Sequence, residues 1–319
     1  MERTPLIYIV GTGRSGSTLL DLMLAADPHV TGVGEFSNFT DWVKQDDPCT
    51  CGRPVGACEL WGPILAAVPE AAEVDVSFGV GLRRQLSRAL RCILGASLTA
   101  EEQATARVNH ELLRRVVGAT GSAYVVDSSK DLGRACLLYL SGRFDMHIIH
   151  LVRDARGVVF SRSKTKPREQ FVRERPDFAE RAERWPERKR LRPTGYTYRR
   201  WMAFNAAILA VGVTRWRRHY RLVRYERLAA EPERAMAEIR EWLGLAVHVA
   251  PAEAAIDAHN IGGNRMRFKP VTEVRVDDEW RRSLGKGPRA LYALYGVPLV
   301  AALCNVVARR RPAPPTHGA

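Results

Sequence analysis

Apolar residues fall in short strand-length runs, and stretches of helical periodicity separate them. Leu6–Val10 is apolar throughout and ends in a Gly-rich turn, after which Thr18–Ala26 reads as a helix. Val30–Val33 is a second short run. Residues 80–117 repeat Leu, Ile and Val at three- and four-residue steps and read as helical. Strands are expected at Tyr124–Val126, Met146–Val152 and Tyr220–Arg224. Helices are expected at Asp131–Ser141, Ala155–Ser163 and Tyr198–Val213. A further helix, Pro232–Leu243, is opened by its proline and stopped by Gly244. Strand followed by helix, repeated, predicts an α/β fold whose central parallel sheet is flanked by helices.

No internal repeat is visible. Residues 49–62 read as a Cys- and Gly-rich loop, and residues 164–193 as a charged, Pro-bounded insert or lid with few apolar positions. A single domain is expected over 1–310, with a disordered tail at 311–319.

Composition narrows the partners. The 319 residues are 46% apolar, enough for one large domain. Lys and Arg number 49 against 35 Asp and Glu, a net charge of +14. That excess suits a polyanion: nucleic acid, an anionic membrane surface or a multiply phosphorylated nucleotide. Six Cys are too few for a disulfide scaffold at this length. The amino terminus lacks the order of a signal peptide, so a cytoplasmic protein with reduced thiols is expected. Ala290–Ala308 is almost wholly apolar and precedes three arginines. Its Gly296, Pro298, Asn305 and two tyrosines favour a buried carboxy-terminal helix, or peripheral membrane contact through 290–311, over a membrane span.

The chemistry lies in two motifs. Gly11-Thr12-Gly13-Arg14-Ser15-Gly16-Ser17-Thr18 sits between a strand and a helix. Glycines there let backbone N–H groups converge on an anion, and the helix start adds its positive end. The spacing is that of G-x-x-x-x-G-x-T, but Ser17 stands where nucleotide hydrolases place Lys, and the cation moves to Arg14. This weakens a small-molecule kinase reading, which needs that Lys. The second motif is Arg153 at the end of strand Met146–Val152, with Ser161 eight residues on. An Arg at a strand's carboxyl end faces the crevice where α/β folds bind ligands.

These two segments, GTGRSGSTLL and LVRDARGVVFSR, resemble the 5′-phosphosulfate loop and the 3′-phosphate site of the sulfotransferases that use 3′-phosphoadenosine-5′-phosphosulfate (PAPS). The resemblance implies a three-layer P-loop fold. It implies that Gly13, Arg14, Ser15, Gly16, Ser17 and Thr18 hold the 5′ end of PAPS, while Arg153 and Ser161 hold the 3′-phosphate. Tyr225, in Arg224–Leu228, resembles a family tyrosine near the nucleotide. Asn264, Arg265 and Arg267 lie in a Gly-rich basic loop resembling the one that closes over the 3′-phosphate; which arginine makes the contact is open. Glu35, in a Gly-Glu setting resembling that of tyrosylprotein sulfotransferases, is the expected general base. Lys130 and Arg14 are the expected catalytic cations, and no metal is expected. Many cytosolic relatives use His as base; His110, His150 and His259 are the alternatives here, none in a matching motif. The acceptor would be a small-molecule, carbohydrate or lipid hydroxyl, not nucleic acid. The remaining alternative is a non-catalytic polyanion binder. Cys49, Cys51 and Cys58 invite a zinc reading, but with no fourth ligand in sight a structural loop is preferred.

Overall fold

The computed structural model describes residues 3–79, 81–164, 193–245, 259–262, 265–268 and 274–309. Nearly all of the expected insert, the tail and Asn264 lie outside these residues.

Among the described residues, five strands form one sheet: β1 (Thr4–Gly11), β2 (Val30–Gly34), β3 (Tyr124–Lys130), β4 (Phe144–Val152) and β5 (Tyr220–Arg224). Their order is β2-β3-β1-β4-β5, and every pairing is parallel. The described helices are α1 (Ser17–Ala25), α2 (Phe39–Gln45), α3 (Trp61–Ala67), α4 (Leu82–Leu94), α5 (Ala100–Thr120), α6 (Leu132–Leu140), α7 (Ala155–Ser163), α8 (Thr194–Thr214), α9 (Tyr225–Ala230), α10 (Pro232–Leu243), α11 (Trp280–Ser283), α12 (Lys286–Leu294) and α13 (Val297–Ala308).

Strand alternation explains the three layers. Leu6, Tyr8 and Val10 point into one apolar core, which takes α4 to α8; Ile7 and Ile9 point into another, which takes α1, α9 and α10. A sheet covered on both faces needs apolar residues at successive positions, which is why these strands read as continuous runs. The α/β fold with a central parallel sheet is as the pattern predicts.

The helical stretch expected over 80–117 is made of two helices. Gly95 closes α4 in the left-handed region (φ 68°), and Thr99 opens α5 with a capping box to Glu102. The carboxy-terminal apolar run is also broken: Gly296 (φ 67°) separates α12 from α13, which bend by 72°. No single described helix is long and apolar enough to cross a membrane. The expectation of a buried helix needs correction, because α13 buries Val297, Val300 and Cys304 but exposes Leu299, Leu303 and Val306.

β1 lies at the sheet centre. The chain runs from it out to the β2 edge, returns through β3, and then builds β4 and β5 on the other side. The crevice at its carboxyl end is therefore the topological switch point, where open α/β sheets bind ligands.

Candidate active site

The Gly-rich loop turns at the tip of β1. Arg14 and Gly16 both adopt positive φ, 75° and 91°. Gly16 has the conformational freedom this needs, whereas Arg14 holds a shape unfavourable to a residue with a side chain. Thr12 and Ser15 share a 2.8 Å hydrogen bond inside the turn. Ser15 and Ser17 are buried, Thr18 is partly buried, and the Arg14 side chain is exposed.

Arg153, at the end of β4, reaches this loop. Its Nη1 donates to the Arg14 carbonyl at 3.2 Å. Its Nη2 meets the Asp277 carboxylate at 2.8 Å and the Asp277 carbonyl at 2.9 Å. The guanidinium lies 4.6 Å from the centroid of the Tyr225 ring. Tyr225 also packs on Gly16, where an added Cβ would stand 2.5 Å from its ring. Trp201 of α8 donates to the Arg153 carbonyl at 3.0 Å. Thus the loop, Arg153 and Tyr225 form one cluster. Ser161 is partly buried one residue before Arg162, whose guanidinium lies 3.2 Å from a Cβ placed on Gly13.

On the other flank of β1, Lys130 pairs in register with Val10, one residue before the loop begins. Lys130 Nζ lies 2.6 Å from Glu35 Oε1 and donates to the Ser128 carbonyl at 3.1 Å. Glu35 follows β2. Its N–H donates to the Ile261 carbonyl at 2.9 Å, and Asn38 donates to its carboxylate at 3.3 Å. Gly34 has φ 73°, and a Cβ there would stand 2.2 Å from the Ile261 carbonyl oxygen, so only glycine fits this approach.

A buried network supports that flank. Arg134 and Asp127 are both fully buried and paired at 3.0 Å. Asp127 accepts from the Ser129 N–H at 2.9 Å and from its hydroxyl, and Ser129 Oγ in turn accepts from the Ser37 N–H at 2.8 Å. The turn after Glu35 is thereby tied to the tip of β3.

Arg267 is buried, stacks on Trp42 and Phe268, and donates to the Pro48 carbonyl at 3.3 Å, on the Glu35 side of the crevice. Arg265 begins the same short 3-10 turn, Arg265–Phe268. The histidine alternatives sit elsewhere. His150 is buried between Tyr220 and Asn205, at 2.7 and 2.9 Å, and burial holds its imidazole down to about 4, so it stays neutral. His110 packs edge-on against Phe144. His259 lies among Cys49 and Cys58.

Sequence reasoning missed several groups. Arg162 and Arg200 line a groove beside the loop with Thr12, Tyr196, Thr197 and Trp201. Arg162 follows Ser161 directly, so its place in the motif was a usable signal; Arg200 and Asp277 had none. Asp21 of α1 is buried, accepts from Ser128 at 2.7 Å, and is pushed up to about 7 by burial.

These features together define an α/β protein: a parallel sheet with a Gly-rich loop and a neighbouring strand-end arginine at its switch point. Comparison with known proteins shows what the chain is similar to. Residues 5–48, spanning β1, the loop, α1, β2 and Glu35, match the model of the sulfotransferase family. A sulfotransferase domain from the curacin biosynthetic pathway shares the fold: 15% identity, TM-score 0.50, covering 92% of this chain and 99% of that one. A sulfotransferase domain from the Synechococcus PCC 7002 olefin synthase is similar at 20% identity and TM-score 0.45, covering 92% and 96%. Sulfotransferase STF9 from Mycobacterium avium is similar at 12% identity and TM-score 0.44, covering 93% and 76%. No curated protein matches the chain. The chain thus matches the sulfotransferase family model over residues 5–48 and shares the fold of a sulfotransferase domain.

Proposed function

We propose that this protein transfers a sulfuryl group from PAPS to a hydroxyl-bearing small molecule, carbohydrate or lipid. The observation that carries the reading is the 3.2 Å contact between the Arg153 guanidinium and the Arg14 carbonyl, because it brings the two anion-binding motifs within reach of one nucleotide. A donor with phosphate at both ends of its ribose needs two such sites; ATP does not.

In this reading the amides of residues 13–18 and the Arg14 side chain hold the 5′-phosphosulfate. Arg153 and Ser161 hold the 3′-phosphate, Tyr225 sits beside the nucleotide, and Asn264, Arg265 and Arg267 supply the closing loop. The acceptor oxygen attacks sulfur in line while the bond from sulfur to the bridging phosphate oxygen breaks. Glu35 takes the acceptor proton, and Arg14 and Lys130 stabilise the charge that gathers on the departing phosphate. The products are the sulfate ester and adenosine 3′,5′-bisphosphate. The 2.6 Å Lys130–Glu35 contact supports a shared site for base and cation.

Calorimetric titration tests the reading. Adenosine 3′,5′-bisphosphate is expected to bind in EDTA and more tightly than ATP. Magnesium-dependent preference for ATP would mean a kinase, and weak salt-sensitive binding of both would mean a polyanion binder. Labelled PAPS with an acceptor panel then identifies the hydroxyl.

A further inference from the structure

Three thiols and an imidazole converge beside the Glu35 flank. Cys49, Cys51 and Cys58 come from one loop, and His259 arrives 201 residues after Cys58. Their ligand atoms all lie within 4.8 Å of one another. Cys51 Sγ is 3.7 Å from Cys58 Sγ, and His259 Nδ1 is 3.7 Å from Cys49 Sγ and 3.2 Å from Cys58 Sγ. Around a tetrahedral zinc ion, with bonds of about 2.3 Å to sulfur and 2.0 Å to nitrogen, neighbouring donors stand roughly 3.5–3.8 Å apart. A disulfide would need sulfurs about 2.05 Å apart and would leave the third thiol and the imidazole unexplained.

The backbone around the four groups is shaped for thiolates. Gly52 (φ 86°) turns the loop so that its N–H reaches the Cys49 carbonyl at 3.0 Å, and the Cys49 N–H reaches the Arg53 carbonyl at 2.9 Å. N–H groups of Leu60 and Trp61 are aimed at the Cys58 sulfur, and that of Cys51 at the Cys49 sulfur. Such outer contacts orient and stabilise metal-bound sulfur. The imidazole is also fixed, because Trp61 Nε1 donates to the His259 carbonyl at 2.8 Å.

We propose that Cys49, Cys51, Cys58 and His259 form a closed tetrahedral zinc site that fastens the segment around His259 to the 46–60 loop. Four protein ligands leave no open position, so the ion is structural. What it fastens bears on the candidate active site. Thr50 and Asn260 exchange two hydrogen bonds, at 2.9 and 3.2 Å, next to the ligands. Ile261 then bridges the tip of β2, accepting from Glu35 N–H at 2.9 Å and donating to the Val33 carbonyl at 3.2 Å. Ion, strap and candidate base form one continuous backbone path.

Metal content is independent of the sulfotransferase reading, so the two can fail separately. The full-length chain, purified without chelator, is expected to carry one zinc ion per chain by plasma mass spectrometry. X-ray absorption should show three sulfur neighbours and one nitrogen. Cobalt substituted for zinc should give the intense visible bands of a tetrahedral thiolate site. Because Cys58→Ser removes a buried ligand and can unfold the chain, Cys51→Ser at the exposed ligand is the variant of choice. With its fold checked by circular dichroism, it should bind zinc at least about tenfold more weakly. The proposal is overturned if the wild-type chain stays metal-free after incubation with zinc sulfate. It is equally overturned if the metal has no sulfur neighbours, or if Cys51→Ser binds zinc as tightly as the wild type.

Discussion

Glu35 is the residue on which the proposed chemistry turns. Its carboxylate is partly exposed, paired with Lys130 and held by the backbone of Ile261. Glu35→Gln preserves shape but cannot take a proton. It is expected to lower turnover by about 10²–10⁴-fold while leaving affinity for adenosine 3′,5′-bisphosphate unchanged. Unaltered turnover in a steady-state assay would remove Glu35 as base. The two arginines should separate differently. Arg14→Ala is expected to abolish transfer, whereas Arg153→Ala should mainly weaken donor binding, by about 1.5–3 kcal/mol for a lost charge-assisted contact. Calorimetry with single-turnover kinetics distinguishes the two effects.

Asp21 gives a prediction about stability. Burial raises its folded carboxyl to about 7, above its ordinary value of 3.8. Between these two values the folded state keeps a proton that the unfolded state releases. Stability contributed by this group therefore falls as pH rises from about 4 to 7, by a few kcal/mol in all. Asp21→Asn should match the wild type near pH 4 and be the more stable protein at pH 8, by urea unfolding. Equal midpoints at both pH values would contradict the buried, protonated carboxyl.

At the scale of elements, the sequence was most legible where termination signals and periodicity agree. Tyr220–Arg224 and Pro232–Leu243 have the bounds the pattern predicts, because Pro opens the helix and Gly244 (φ 71°) closes it. The break within residues 80–117 was not legible because apolar spacing continues across Gly95, and the capping box at Thr99 is a two-residue signal inside a long periodic stretch. The turn at the tip of β1 was legible from its glycines. Its packing on Tyr225 was not, since that contact is made by residues over 200 apart in sequence. This packing predicts the effect of Gly16→Ala. A Cβ there meets Tyr225 at 2.5 Å, and φ is 91°, so the substitution should cost at least about 1–2 kcal/mol and lower bisphosphate affinity. Thermal unfolding and calorimetry read the two consequences separately.

For the whole molecule, a parallel sheet flanked by helices was legible in the alternation of strands and helices, whereas the order of strands and the long-range convergence were not. His259 had no local signal marking it as a partner of Cys49 and Cys58; the fold supplies the encounter. Asp277 likewise meets Arg153 only in three dimensions. The carboxy-terminal pair α12 and α13 exposes Leu294, Leu299, Leu303 and Val306, with Leu294 77% exposed. Exposed apolar side chains suit the peripheral membrane contact expected of the 290–311 segment. The chain should sediment with vesicles containing phosphatidylglycerol, and Leu299→Ser with Leu303→Ser should reduce that binding. No sedimentation by the wild type would end this proposal.

The grip of Arg153 on the Arg14 carbonyl links the two motifs that the proposed function assigns to the two ends of the donor. The guanidinium expected to recognise one phosphate also braces the unfavourable backbone turn that faces the other. Recognition and reactivity are then mechanically joined. A nucleotide lacking the distal phosphate should be held less tightly and also be presented less accurately for reaction, a form of donor proofreading built into two adjoining strand ends.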